Sequence, residues 1–209
     1  MRLVNRLLEN SLVYRTWQLP FVEQKLVPLK TRGEISRARR VLDVGCGPGT
    51  NTPSFGCCEY LGIDINPGYI ADARRRYGRR FVVADVTEYS VASEGKFDFI
   101  LVNSLLHHIT DDGVRKLLSH LSSLLSADGH AHIVDILLPE RRSIPWMLAR
   151  LDRGEFPRPI PALRRLVEES FDVVDSEEHY LTIGPLRLWN MAYFKCRVRS
   201  AIVSSGSET

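Results

Sequence analysis

Cysteine is scarce in this chain of 209 residues: Cys46, Cys57, Cys58 and Cys196 share no C-x-x-C spacing. That excludes a disulfide framework and a cysteine metal motif, and reduced thiols in a cytoplasmic protein are the plain reading. Long apolar runs are missing too, so no membrane span is expected. No export signal is expected either, because Arg2 and Arg6 interrupt Leu3, Val4, Leu7 and Leu8 and no small-residue cleavage site follows. A membrane-surface helix or an organellar presequence is the alternative there, and Glu9 and Glu23 weigh against the presequence. Net charge is only +3. The densest basic cluster, Arg74-Arg75-Arg76 with Arg79-Arg80, reads as a solvated helix face, and no dedicated nucleic-acid module is recognisable. Internal repeats are absent. What remains, with 44% apolar residues, is expected to be one domain around one core.

The most informative stretch is Val41-Leu42-Asp43-Val44-Gly45-Cys46-Gly47-Pro48-Gly49-Thr50. An apolar run ends in three alternate glycines, and a second run, Tyr60-Leu61-Gly62-Ile63-Asp64, ends in a carboxylate. A strand, a glycine turn and an acidic strand end hold a nucleoside over the carboxyl edge of a parallel sheet. The backbone can approach the ligand because there is no Cβ, and one carboxylate can accept both ribose hydroxyls. The alternative is a tight strand-to-helix turn with no ligand. A dinucleotide fingerprint would need its third glycine at Thr50, so a nicotinamide oxidoreductase is disfavoured.

Further strands follow in alternation with helices: Phe81 to Asp85, Phe97 to Asn103 and Ala131 to Ile136, with helical character over Gly68 to Tyr77 and Asp111 to Leu125. Two more strands are read at Phe171 to Leu181 and Leu188 to Val198. Such alternation predicts an α/β fold, a doubly wound and mostly parallel sheet with helices on both faces. The expected organisation is a single domain over 1–199 and a disordered polar tail at 200–209. Within the domain, 1–39 forms an N-terminal helical lid, 40–137 the cofactor half, and 138–199 the substrate-side connector and terminal strands. The segment between Gly49 and Tyr60 is short and interrupted by Pro53 and Gly56, so only one or two helical turns are expected after the glycine loop.

Over residues 40 to 137 these motifs, in this order, resemble the class I S-adenosylmethionine-dependent methyltransferases. Gly45-x-Gly47-x-Gly49 preceded by Asp43 is similar to their first motif. Phe97 to Ile109 resembles the fourth-strand signature of small-molecule enzymes related to the ubiquinone/menaquinone C-methyltransferase group. The resemblance implies seven strands with an antiparallel last strand, and S-adenosylmethionine as cofactor with S-adenosylhomocysteine as product. It implies that Gly45, Cys46, Gly47 and Gly49 form the cofactor loop, with Asp43 ordering it. Asp64 would accept from the ribose and Ile65 would pack on adenine. Asp85 would accept from the adenine amino group, with Val86 beside it; the alternative for Asp85 is a helix cap or surface acid. Asn103 and Ser104 end the fourth strand near the methionine portion.

Methyl transfer is a direct displacement, so the protein mainly aligns the acceptor and excludes water. A base is needed only where the acceptor loses a proton. His107 is the candidate, and the blander reading makes His107 and His108 polar members of a short connecting helix. Metal binding is not expected: His130 and His132 have no third ligand, and the acidic and amide constellation of cation-dependent catechol enzymes is absent. Tyr14, Trp17, His107, Trp146 and Arg150 are the substrate candidates, with Gln18, Phe21 and Lys25 as further lid residues. They suggest a small, largely apolar or aromatic acceptor with an anion for Arg150, although core packing explains most of them equally well. An RNA or protein methyltransferase and a non-catalytic adenosyl-binding partner remain the alternatives. Oligomeric state and the O-, N- or C-character of the acceptor are left open.

Overall fold

The structure, a computed structural model, describes residues 20–89, 95–152 and 154–199. Tyr14, Trp17, Gln18, the first half of the expected lid and the tail at 200–209 lie outside the described residues.

Residues 20–25 are helical and lead into two short helices, α1 (Val27–Thr31) and α2 (Glu34–Arg37). Strand β1 (Arg40–Val44) follows, with every residue after Arg40 buried. Only a single 3-10 turn, Thr52–Ser54, separates it from β2 (Glu59–Asp64). This is the short end of the one or two turns expected, since Pro53 lacks the N–H a longer helix would need. The space is filled instead by Phe55, buried with its ring 5.8 Å from Tyr60 and 5.4 Å from Phe99. Arg79 pins this loop by donating to the carbonyls of Phe55, Gly56 and Cys58.

Helix α3 (Pro67–Tyr77) is capped by Asn66, whose side chain accepts from the N–H groups of Gly68 and Tyr69, with Pro67 in its first turn. Strand β3 (Arg80–Val83) then stops two residues short of Asp85. Strand β4 (Phe97–Asn103) ends in a 3-10 turn at Leu106–His108. Helix α4 (Asp111–Leu124) buries Val114, Leu117, Leu118, Leu121 and Leu124, the i, i+3, i+4, i+7 stripe of a core-facing helix. Strand β5 (Leu125–Ile136) begins earlier than the sequence suggests. Asp128 and Gly129 do not break the chain but lie in an irregularity where Phe97 pairs Leu125 and Phe99 pairs His130. Helices α5 (Ile144–Leu151) and α6 (Ile160–Glu168) precede the hairpin of β6 (Phe171–Ile183) and β7 (Leu186–Val198).

The seven strands form one sheet in the order β3-β2-β1-β4-β5-β7-β6. Neighbours are parallel from β3 to β5, and β7 runs antiparallel to both β5 and β6. One face packs Leu42, Val44 and Ile133 under α4 and α6. The other packs Val41, Leu101 and Val134 under residues 20–29, α3 and Ala149 of α5. Strand period therefore decides which way each acid points: Asp43 turns to the same face as Val41. Phe21 is part of that core, its ring 5.2 Å from Trp189. Among the described residues, no helix is long and apolar enough to cross a membrane.

All five parallel strands present their carboxyl ends at one edge, and the connector folds back over it. Leu137 pairs with Arg158, and Phe156 N–H donates to His107 O at 2.9 Å. The Arg158 guanidinium then clamps the turn after β4. It donates to Leu106 O at 2.8 Å, Ile109 O at 2.7 Å and Asp111 Oδ1 at 2.7 Å. Arg158→Ala is expected to cost about 2–4 kcal/mol in denaturant unfolding, because two buried carbonyls and a carboxylate lose their donors together. Arg158→Lys should recover less than half of that loss, since an ammonium cannot reproduce the three-point fork.

Candidate active site

The glycine loop leaves β1 with Gly45, Gly47 and Gly49 at φ of 67°, 54° and 79°. At Gly49 a Cβ would stand 2.8 Å from the Tyr77 ring, so the turn requires glycine there. Asp64 closes the loop from the end of β2. Its Oδ2 accepts from Gly47 N–H and its Oδ1 from Asn66 N–H, both at 2.8 Å. Each oxygen keeps lone-pair capacity for a ligand hydroxyl. Burial holds the Asp64 carboxyl above its usual range, against the pull of those two N–H groups.

A cleft of about 360 Å³ opens beside this carboxylate, lined by Gly45, Asp64, Ile65, Asp85 and Val86 of the expected cofactor set. Leu105, Ile109, Lys116 and Leu117 supply the opposite wall. Ile65 is 72% exposed, an apolar side chain with nothing yet packed on it. Asp85 Oδ1 accepts from Thr87 N–H and Oγ1, and those bonds hold the carboxyl low. That is a local turn of the kind weighed as its alternative, at a residue that also lines the cleft.

The remaining cofactor candidates stand behind this wall. Cys46 is buried with its thiol in the core, and burial pushes its pKa up. Asp43 is fully buried and accepts from Tyr60 Oη at 2.7 Å and Asn51 Nδ2 at 3.3 Å. Asn51 Oδ1 in turn accepts from Asn103 Nδ2 at 3.1 Å. Asp43 thus ties the glycine loop to β2 and to the end of β4. Asn103 and Ser104 sit at that end, outside the cleft lining. Ser104, at φ 56°, is the only non-glycine with positive φ among the described residues. Such a conformation costs on the order of 1–3 kcal/mol and clusters at functional turns.

The turn after β4 has two sides. Leu105 and Ile109 face the cleft, whereas His107, 3% exposed, faces Asp135 at the end of β5. Its Nδ1 bonds Asp135 Oδ1, and its Nε2 lies 3.3 Å from Asp152 Oδ1. Burial alone would lower the ring's pKa, but the two carboxylates outweigh it and raise it to about 9. The two carboxylates thus favour the protonated form of the ring. Asp152 is drawn down to about 2: burial opposes the shift, and the bond to His107 overrides it. Gly154 packs directly on the ring, where a Cβ would come within 2.6 Å of His107 O. Lys25 is buried nearby with its pKa lowered to about 8, burial outweighing the charges of Asp152 and Asp135.

Asp135, Asp152, Gly154 and Arg158 escaped the sequence reading. Asp135 carried the same signal as Asp64, an acid ending an apolar strand. Asp152 and Gly154 lie in a connector whose path over the sheet edge no periodicity announces. Trp146 is half-buried with the Arg142 guanidinium 5.7 Å from its ring centroid, and Arg150 is exposed. Both sit on α5, the helix that ends at Asp152.

Residues 41–129 match the Methyltransferase domain family. Over 145 residues the chain is 30% identical to trans-aconitate 2-methyltransferase of Escherichia coli O139:H28 (strain E24377A / ETEC), covering 63% of this chain and 55% of that protein. The chain thus spans about half the length of the curated relatives it matches. PH0226 protein from Pyrococcus horikoshii OT3 shares the fold at a TM-score of 0.67 and 19% identity, over 91% of this chain and 93% of that one. N-methyltransferase NodS from Bradyrhizobium japonicum WM9, in complex with S-adenosyl-L-homocysteine, gives 0.63 and 16%, over 86% and 97%. The sheet order and the antiparallel β7 agree with that fold.

The buried Asp43 makes stability depend on pH. Its pKa is raised from 3.8 to about 7 by burial, which Tyr60 and Asn51 only partly offset and to which the charge of Asp64 adds. The folded state then holds a proton that the unfolded state releases. Stability from this group is complete below about pH 4 and is lost as pH rises through 7, by up to about 4 kcal/mol. In Asp43→Asn the fall in Tm between pH 5 and pH 8 should be smaller than in the wild type.

Proposed function

We propose that the chain is an S-adenosylmethionine-dependent methyltransferase acting on a small acceptor that carries an anion. The observation that carries this reading is Asp64, held by Gly47 and Asn66 at the mouth of a cleft of about 360 Å³ between the carboxyl ends of parallel strands. S-adenosylmethionine would supply a methyl group already activated on a sulfonium. The chain's own residues then bind, orient and exclude water. Asp64 accepts from the ribose, Ile65 offers an apolar surface to adenine, and Asp85 faces its amino group. Gly45 and Gly47 let the backbone pass close to the remainder of the ligand. Leu105 stands between the cofactor cleft and the acceptor side, packed on Gly45.

On the acceptor side, Trp146 and Arg150 share a helix with the approach to Asp152. An exposed guanidinium beside a half-buried indole suits a compact acid with an apolar body. Trans-aconitate, the acceptor named for the Escherichia coli relative, is the first compound to test. The narrower likeness to the ubiquinone/menaquinone C-methyltransferase group has no support from the relatives described above. The arginine cluster does not favour a nucleic-acid substrate. Arg74 and Arg79 donate to backbone carbonyls, and Arg75 and Arg76 pair with Asp72.

Calorimetric titration with S-adenosylmethionine, S-adenosylhomocysteine and NADH tests the cofactor. Micromolar binding of both adenosyl ligands and none of NADH is expected, weakened about tenfold or more in Asp64→Ala, as for lost charge-assisted bonds. Folded protein free of carried-over ligand that binds neither adenosyl compound contradicts the reading. Trp146→Ala and Arg150→Ala should raise the acceptor KM and leave adenosyl affinity unchanged.

A further inference from the structure

The turn after β4 carries a second histidine that methyl transfer leaves unused. His107, His108 and Asp152 each present one donor atom, and the three atoms lie within 4.8 Å of one another. His107 Nε2 and Asp152 Oδ1 are 3.3 Å apart. Two donors bound at about 2.1 Å to one ion, at tetrahedral or octahedral angles, stand roughly 3.0–3.4 Å from each other. This pair therefore already has the separation of two ligands on a shared cation.

The surroundings of His107 point the same way. Its Nδ1 is engaged by Asp135, which leaves Nε2 as the ligating nitrogen. Asp135 is itself fixed by the N–H groups of Leu106 at 2.5 Å, His107 at 3.2 Å and Ile136 at 2.6 Å. A carboxylate that orients the far nitrogen of a histidine is the usual support of a metal ligand. Gly154 N–H donates to Asp152 Oδ1 at 3.1 Å and steadies the third ligand. His108 is exposed, so an ion can enter from solvent on its side. Two imidazoles and one carboxylate with positions left open suit a first-row divalent cation.

We propose that His107, His108 and Asp152 form a binding site for a first-row divalent cation of the zinc or cobalt class, whose open positions take an oxygen of the acceptor. Only the clause on the acceptor rests on the methyltransferase reading. Lys25 is buried within reach of the charges of Asp152 and Asp135 and competes with the ion for them, so removing its ammonium should tighten binding.

The test is titration of metal-free full-length protein with cobalt(II), read by visible absorption and stoichiometry, with zinc as competitor. One equivalent is expected, displaced by zinc. Affinity should fall about tenfold or more in His108→Ala and in Asp152→Asn and rise in Lys25→Met, with S-adenosylhomocysteine affinity unchanged throughout. His108 is exposed, so its variant keeps the fold even where Asp152→Asn does not. Absence of saturable one-equivalent binding below about 100 µM, or binding that His108→Ala leaves intact, overturns the site. Cobalt binding without adenosyl binding supports the cation site and removes its link to the acceptor. Adenosyl binding without cobalt binding overturns the site and leaves the methyltransferase reading standing.

Discussion

The bond from Gly47 N–H to the Asp64 carboxylate, with its partner from Asn66, joins the exit of β1 to the exit of β2. Three things depend on it. The glycine loop is held open at positive φ, where its N–H groups and bare backbone can meet a ligand. The carboxylate is fixed with lone pairs still available at the cleft. The parallel register of β1 and β2 places both ends at the same height, Val44 beside Ile63. Without that tether the loop would be free to close over the space a ligand requires.

The helix that would ordinarily stand behind such a loop is reduced to one turn, so stiffness comes from side chains. Asp43, Asn51, Tyr60 and Thr52 form a buried polar knot, while Phe55 and the Arg79 guanidinium replace the helix's packing and hydrogen bonds. The knot places a carboxylate in a dry setting, which costs stability at higher pH but links loop, β2 and β4 in one network. No long helix N-terminus therefore stands at this loop, whose free polar groups are backbone N–H groups and the Asp64 carboxylate.

On the far side of Leu105, Asp135 plays the equivalent part. Three backbone N–H groups and one imidazole converge on its two oxygens, and Arg158 secures the same turn from the other end. The region beyond Leu105 is thus built from β5, the turn after β4 and a connector, three segments distant in sequence. That convergence sets it apart from the glycine loop, whose residues are contiguous in sequence.

The legibility of the sequence follows the same division. Local patterns gave away β1, β2, β4 and α4, because alternation, the glycine turn and the apolar stripe of α4 are each encoded within a dozen residues. Gly45, Asp64, Ile65, Asp85 and Val86 were readable for the same reason, and the structure gathers them along one cleft. The long irregular start of β5 was not, since Gly129 marks a close approach to Asp98 across strands that looks like a helix stop in one dimension. Asp152 and Arg158 were hidden because their function comes from a fold-back without a periodic signal. The measurement that bears most directly on the central claim is a crystal structure with S-adenosylhomocysteine. The ribose should lie on Asp64 with adenine between Ile65 and Asp85 and the sulfur directed toward Leu105. Adenosyl density elsewhere, or a ligand that leaves Asp64 untouched, would contradict it.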